Sequence, residues 1–229
     1  MPGFRHILFP VDLSERCAAI RPFVRFIANR FHAKVTLLHV FEKSTGEWLA
    51  AVENTAAIAF DDAQTNEESC ALLSEFFPRE PGAQFEVVHA ARCGDPAEQI
   101  VEFAKQQNVD LLMMPTHGHG KFRRLLLGSV TSEVLEGAPC PVWTAAHTED
   151  PAIADHASCR TILAAGSATA AEVGSSFTTN AQVEVLNEEQ TRNVAKVARE
   201  KNADLLVLAM PRSQANDVIR EVSCPVLTL

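Results

Sequence analysis

The sequence predicts an α/β fold, a parallel sheet with helices wound on both faces, and three observations predict it. Short runs such as Ile7-Leu8-Phe9 and Leu111-Leu112-Met113-Met114 are apolar throughout, as strands buried on both sides require. Segments with helical periodicity separate these runs. The last third of the chain then repeats the order of the first part in shortened form.

The first strand is expected over residues 6–11. Asp12-Leu13-Ser14-Glu15 follows with capping side chains, and Ile20, Phe23, Val24, Ile27, Ala28 and Phe31 mark one helical face. A second strand is expected over residues 35–41, with Leu37, Leu38 and Val40 inside it. Residues 47–77 carry a loose helical period ending before Pro78, with Trp48 as a core residue. A third strand is expected over residues 85–89. Gly94-Asp95-Pro96 opens the next helix, because proline suits a helix's first turn. Residues 109–114 form the fourth strand, and Val142-Trp143-Thr144 the fifth, after the stop signal Pro139-Cys140-Pro141.

Four echoes recur in one order. Arg160-Thr161-Ile162-Leu163 follows Arg5-His6-Ile7-Leu8, and Ala181-Gln182-Val183-Glu184-Val185 follows Ala83-Gln84-Phe85-Glu86-Val87. Asn202-Ala203-Asp204 follows Asn108-Val109-Asp110, and Cys224-Pro225-Val226 follows Cys140-Pro141-Val142. Repetition at this level predicts two tandem copies: residues 1–146 complete, residues 159–229 shortened, and a linker near 147–158. Arg5 and Asp110 are 105 residues apart but Arg160 and Asp204 only 44, so the second copy lacks 61, the size of one strand and one long helix. A half-domain short of a strand cannot bury its sheet alone. The copies are therefore expected to pack as a pseudo-dimer, with residues 141–144 and 225–228 pairing antiparallel to hide their edges.

Composition narrows the function. A net charge of −9 and pI near 5.4 argue against general affinity for nucleic acid or anionic membrane. No apolar run reaches about eighteen residues, so no membrane span is expected. The start Met1-Pro2-Gly3-Phe4-Arg5 leads directly into a strand, which argues against a secretory signal. Six scattered cysteines without a C-x-x-C pair read as reduced thiols of a cytoplasmic protein.

The chemistry gathers after the fourth strand. Thr116-His117-Gly118-His119-Gly120-Lys121 is followed by an apolar and basic stretch, then by Gly128-Ser129-Val130-Thr131 leading a helix. In an open α/β sheet, ligands sit beyond the carboxyl ends of the strands. Glycines let backbone N–H groups approach phosphate, and a helix N-terminus adds about half a positive charge. Ser129 and Thr131 add hydroxyls, and Lys121, Arg123 and Arg124 add cations or a solvated basic face. His117 and His119 lack a third metal ligand at suitable spacing and read as loop histidines. The G-x-x-x-x-G-K-[ST] loop fails at Phe122, and G-x-G-x-x-G fails at Arg123.

Asp12 after the first strand, Gly94-Asp95-Pro96, and Gly118 followed by nine residues and Gly128-Ser129 together resemble the universal stress protein family. The resemblance covers residues 4–146, and 159–229 as a degenerate second copy. It implies a Rossmann-like, adenine nucleotide alpha hydrolase-like fold with a five-stranded parallel sheet, a stress-response role, and dimers joined through the last strand. It also implies an ATP site, with Mg2+ able to accompany the nucleotide. Asp12 would hold the ribose beside Pro10 and Val11, and Val40 would meet the adenine edge. Gly118, Gly128, Ser129 and Val130 would cradle the phosphates, with Thr116 and Thr131 at the ends of the loop. The family's first loop glycine is Pro115 here, which removes one N–H. In the second copy Ser167 replaces Asp12 and Pro211-Arg212-Ser213 replaces the loop, so no nucleotide is expected there.

Asp12 alone reads equally as a helix cap. No residue has an assigned partner that would make it a general base, so no dedicated catalysis is expected. Two functions remain at this stage: an ATP-binding stress-response protein, or a non-binding interaction module of the same fold. Homodimers of the whole chain are compatible with both.

Overall fold

The computed structural model describes residues 3–41, 71–118, 127–145, 159–177 and 181–229. Trp48, most of the expected helix over 47–77, the linker, and His119, Gly120, Lys121, Arg123 and Arg124 lie outside the described residues.

The chain order is β1 (His6–Pro10), α1 (Glu15–Ala19), α2 (Arg21–Phe31), β2 (Lys34–Phe41), β3 (Val87–Cys93), α3 (Pro96–Gln106), β4 (Leu111–Pro115), α4 (Ser129–Gly137) and β5 (Val142–Ala145). Next come β6 (Thr161–Ala165), α5 (Ala168–Phe177), β7 (Gln182–Val185), α6 (Glu188–Arg192), α7 (Val194–Glu200), β8 (Leu205–Leu208), α8 (Arg212–Glu221) and β9 (Val226–Thr228). The strands form one sheet in the order β3-β2-β1-β4-β5-β9-β8-β6-β7. Every neighbouring pair is parallel except β5 and β9. Among the described residues the α/β class is thus observed as one nine-stranded sheet, with the first five strands ordered as a doubly wound sheet.

Alternation along β1 separates the two cores. Ile7 and Phe9 face a cluster built with α1, α2 and α5, whereas Leu8 faces a cluster built with α3, α4, α7 and α8. Pro22, in the first turn of α2, splits the single expected helix into α1 and α2, with Ile20 buried at the break. The third strand runs four residues past its expected end, to Cys93, because it pairs with β2 through seven positions. As an edge strand it is only half covered and lacks a continuous apolar run.

The sequence echoes correspond to repeated local devices. Asn108 and Asn202 each turn left-handed after a helix, with φ of 50° and 48°, a conformation asparagine tolerates. The next residues close those turns, Val109 N–H to the Ala104 carbonyl and Ala203 N–H to the Ala198 carbonyl. Asp110 then accepts the N–H groups of Arg5 and His6 at 2.9 and 3.1 Å. Asp204 accepts those of Arg160 and Thr161 at 2.9 and 2.8 Å. Although β7 echoes the segment at β3, it pairs directly with β6. It occupies the place beside β6 that β2 holds beside β1.

The seam runs through the middle of the sheet. β5 and β9 pair antiparallel, with Val142 opposite Thr228, Trp143 opposite Leu227 and Thr144 opposite Val226. Arg212 of α8 reaches across it and donates to the carbonyls of Leu135 (2.6 Å) and Cys140 (3.0 Å). On the other face, Phe31 and Phe177 meet edge to face at 5.7 Å. Burial pushes the thiols of Cys140 and Cys224 up to about 11 and about 12, as befits packing residues.

One buried group makes stability depend on pH. His6 Nδ1 lies 3.2 Å from the Gln107 carbonyl oxygen, and Nε2 lies 2.8 Å from Thr36 Oγ1. A carbonyl only accepts, so Nδ1 carries the hydrogen and neutral Nε2 accepts from the threonine hydroxyl. Burial, then the charge of Lys34, lowers the His6 pKa below 6.5, and burial lowers that of His89 as well. The unfolded chain therefore binds more protons than the folded one just below pH 6.5. Stability should hold above that pH and decline as pH falls through 6.5 toward the folded pKa values. Urea midpoints between pH 8 and 5.5 would test this, with His6→Gln flattening the decline.

Candidate functional site

The order β2-β1-β4-β5 reverses the winding direction between β1 and β4, the point where an open sheet leaves a crevice at its carboxyl edge. These two strands pair only at Ile7–Leu111 and Leu8–Leu112, then separate. The equivalent strands β6 and β8 stay paired through Ala165–Leu208, and Ala209 N–H adds a 2.9 Å bond to the Ala165 carbonyl. Gly166 lies at φ +99°, and a Cβ there would run into the Ala209 carbonyl. The first switch point is thus left unpaired beyond Leu8 and Leu112, whereas the other is closed by its own backbone.

The loop after β1 lines one side of this switch point. Pro10 ends β1 opposite Leu38, and Val11 N–H donates to the Leu38 carbonyl at 2.8 Å. Asp12 Oδ1 accepts both the backbone N–H of Ser14 (2.9 Å) and its hydroxyl (2.6 Å). Ser14 is the residue that caps α1, its hydroxyl accepting the Cys17 N–H at 3.1 Å. Asp12 therefore shapes the turn rather than capping the helix. Between them Leu13 is held left-handed at φ 61° and half-exposed, a costly conformation for a branched side chain. Beneath the loop, burial and then the Asp12 charge push the Cys17 thiol far above its ordinary range, so it packs and does not react.

Asp12 faces the glycine loop. A Cβ built on Gly118 would collide with Asp12 Oδ2, so only glycine lets the carboxylate lie against this backbone. The Gly118 carbonyl accepts from Arg16 of α1 at 3.3 Å. At the far end of the loop, Gly128 N–H donates to the Thr116 carbonyl at 2.8 Å, and a Cβ on Gly128 would lie 3.2 Å from that oxygen. Asp12, Gly118, Thr116 and Gly128 are thereby brought together.

Gly128 is the N-cap of α4 and provides no side-chain cap, whereas Asp95 caps α3 and Ser14 caps α1. Among the described residues, the first amide groups of α4, at Ser129 and Val130, thus form a helix start without a side-chain cap beside this switch point. The hydroxyls of Thr116 and Thr131 are used internally. Thr131 donates to the Pro115 carbonyl at 3.1 Å and Thr116 to the Ala145 carbonyl at 3.2 Å. Pro115 pairs with Ala145 in β4, while the N–H groups of Leu112 and Thr116 bond toward β5. By strand alternation its nitrogen faces the β1 side. Its missing N–H is therefore lost from the crevice and not from the ladder.

Two contacts were not expected from the sequence. His39 Nδ1 lies 2.6 Å from the Val11 carbonyl oxygen, and its ring meets Phe41 edge to face at 4.5 Å. It braces the Asp12 loop from β2, one residue before Val40. Arg16 is the other. Both act on backbone carbonyls, which leave no motif; the only cue was a histidine inside an apolar strand.

The universal stress protein family model matches residues 3–146. The chain belongs to the universal stress protein family. A universal stress protein of Methanocaldococcus jannaschii is 30% identical over 140 residues, spanning 61% of this chain and 80% of that protein. A second protein of that organism, whose structure served for a structure-based assignment of biochemical function, aligns at 26% identity with a TM-score of 0.51. That alignment covers 62% of this chain and 96% of the other. A universal stress protein from Archaeoglobus fulgidus, at 17% identity, shares the fold over 99% of this chain and 97% of its own, with a TM-score of 0.69. No helix among the described residues of this universal stress protein is long and apolar enough to cross a membrane.

Proposed function

We propose that this universal stress protein binds an adenine nucleotide, ATP, in the crevice between β1 and β4, as a cytoplasmic stress-response protein without dedicated catalysis. The observation that carries the reading is the early separation of β1 from β4 next to an uncapped helix start. Asp12 lies on the ribose, Pro10 and Val11 beside it, and the Val40 backbone at the adenine edge. Gly118, Gly128, Ser129 and Val130 meet the phosphates through N–H groups, and Mg2+ can accompany them. Thr116 and Thr131 hold the loop ends through their internal hydrogen bonds. The close backbone approaches at Gly118 and Gly128 and the α4 start without a side-chain cap support the fit, and proline at position 115 takes one N–H from it.

The chain divides, on this reading, into a complete copy over 1–146 and a shortened copy over 159–229, joined as a pseudo-dimer through β5 and β9. The second copy holds no nucleotide because Gly166 packs on Ala209 and Ser167 replaces the aspartate. Mass spectrometry of protein purified without added ligand, followed by calorimetry with ATP, tests the reading. The expected result is a co-purifying adenine nucleotide and one ATP bound per chain. A nucleotide-free protein with no calorimetric signal would instead establish a non-binding interaction module.

A further inference from the structure

We propose that Arg212, at the start of α8, is a positioning residue for the nucleotide site: it clamps the carboxyl end of α4 and so fixes where that helix presents its first amides. Its guanidinium donates from Nη1 to the Leu135 carbonyl at 2.6 Å and from Nη2 to the Cys140 carbonyl at 3.0 Å. The role rests on the ATP reading for its ligand, whereas the clamp itself can be measured without one.

The carboxyl end of α4 calls for such a partner. The last four carbonyls of a helix have no donor within it. Ala138 N–H takes the Val134 carbonyl at 2.8 Å, and the Leu135 carbonyl is taken by Arg212. No basic residue stands in the last turn of α4, where Glu136 stands instead. A carboxylate there opposes the helix dipole, and a cation complements it. Arg212 brings that cation from another element, whereas α8 carries Arg220 in its own last turn. Burial lowers the Arg212 pKa from 12.5, but an arginine keeps its charge at physiological pH.

The echo between the two parts of the chain places this side chain. Cys140 and Cys224 are 84 residues apart, and the same interval separates Gly128 from Arg212. The position that is glycine at the start of α4 thus carries, in the echoed segment, the side chain that grips the far end of α4. With nine residues, α4 makes about two and a half turns and is about 13.5 Å long. Helices this short take their order from what they pack on. At the carboxyl end, a Cβ on Gly137 would lie 3.2 Å from Val101 Cγ2 of α3. At the start, Gly128 N–H and the Thr131 hydroxyl bond to the carbonyls of Thr116 and Pro115. The helix is therefore braced at both ends, and a tilt allowed at one end moves the amides of Ser129 and Val130 at the other.

The test compares backbone amide signals of the full chain and of Arg212→Ala, first without ligand and then with ATP. Without ligand, the signals of Ser129 and Val130 should shift, and hydrogen exchange at Ser132 and Glu133 should rise about threefold or more. The ATP dissociation constant should rise about three- to tenfold. Arg212→Lys keeps the charge but not the fork, so it should recover part of the loss, and it supplies the readout if the alanine variant fails to fold. Arg30 of α2 is the control, since it donates to the Phe177 carbonyl of α5 at 3.2 Å on the other face of the sheet. Arg30→Ala should lower stability while leaving the α4 amides and ATP binding unchanged. Changes confined to the last turn of α4, an unaltered ATP dissociation constant in Arg212→Ala, or equal effects of Arg30→Ala would each overturn the proposal. A parent chain that binds no ATP would overturn the ATP reading alone, and the α4 amide signals would then decide the clamp.

Discussion

Trp143→Ala is expected to cost about 3–5 kcal/mol of folding stability, the largest effect of any single truncation at the seam. Trp143 is among the largest fully buried side chains and sits in the middle of β5. Its backbone pairs with Leu227 of β9, and its ring meets Phe23 of α2 at 5.2 Å. Removing the indole opens a cavity between a rigid strand pair and a helix, a site that cannot collapse without breaking the β5–β9 ladder. The antiparallel seam is three residue pairs long and joins the two parts of the sheet. Its loss should therefore lower the stability of both. Chemical denaturation followed by tryptophan-independent far-UV dichroism would check this, and a loss below about 1 kcal/mol would mean that the ring is not held between α2 and the seam.

The strands buried on both faces were legible because burial leaves an uninterrupted apolar run, as in β1 and β4. The start of α3 was also legible, since Asp95 caps the Glu98 N–H at 2.9 Å and Pro96 follows it, as Gly94-Asp95-Pro96 indicates. Edge strand β3 was displaced because one solvated edge removes the pattern that marks its neighbours. The place of β7 beside β6 was also hidden. Local echo reports what a segment resembles, while pairing depends on which neighbour remains to be paired.

At the site, the glycines were readable as positions where the backbone must come close, and Gly118 and Gly128 both do so. The roles of His39 and Arg16 were not readable. A hydrogen bond to a main-chain carbonyl can be made from many positions and fixes no spacing between residue types. For the same reason the hydroxyl of Thr131 read as a ligand donor, although the fold uses it, like that of Thr116, to tie β4 to its neighbours.

Gly118→Ala separates ligand binding from folding most cleanly. The added methyl would meet Asp12 Oδ2, the end of a side chain, and among the described residues no main-chain atom beyond its own neighbours lies within 4 Å of it. Asp12 can move aside, at the cost of its two bonds to Ser14. Those bonds lie at a partly buried, solvent-accessible turn, so the stability loss should stay near 1 kcal/mol. Binding is affected more strongly, because the carboxylate is displaced from the wall of the crevice. A charge-assisted hydrogen bond to a ligand hydroxyl is worth about 1.5–3 kcal/mol, which corresponds to a roughly 10- to 150-fold rise in the ATP dissociation constant. Gly128→Val is the companion variant. Its side chain would press on the Thr116 carbonyl at 3.2 Å and cover the first amides of α4, so ATP binding should vanish, with a lower melting temperature as that main-chain contact gives way. Calorimetry and thermal melts on both variants decide the matter. If both melt like the parent and bind ATP as tightly, Asp12 and the start of α4 do not form the nucleotide site.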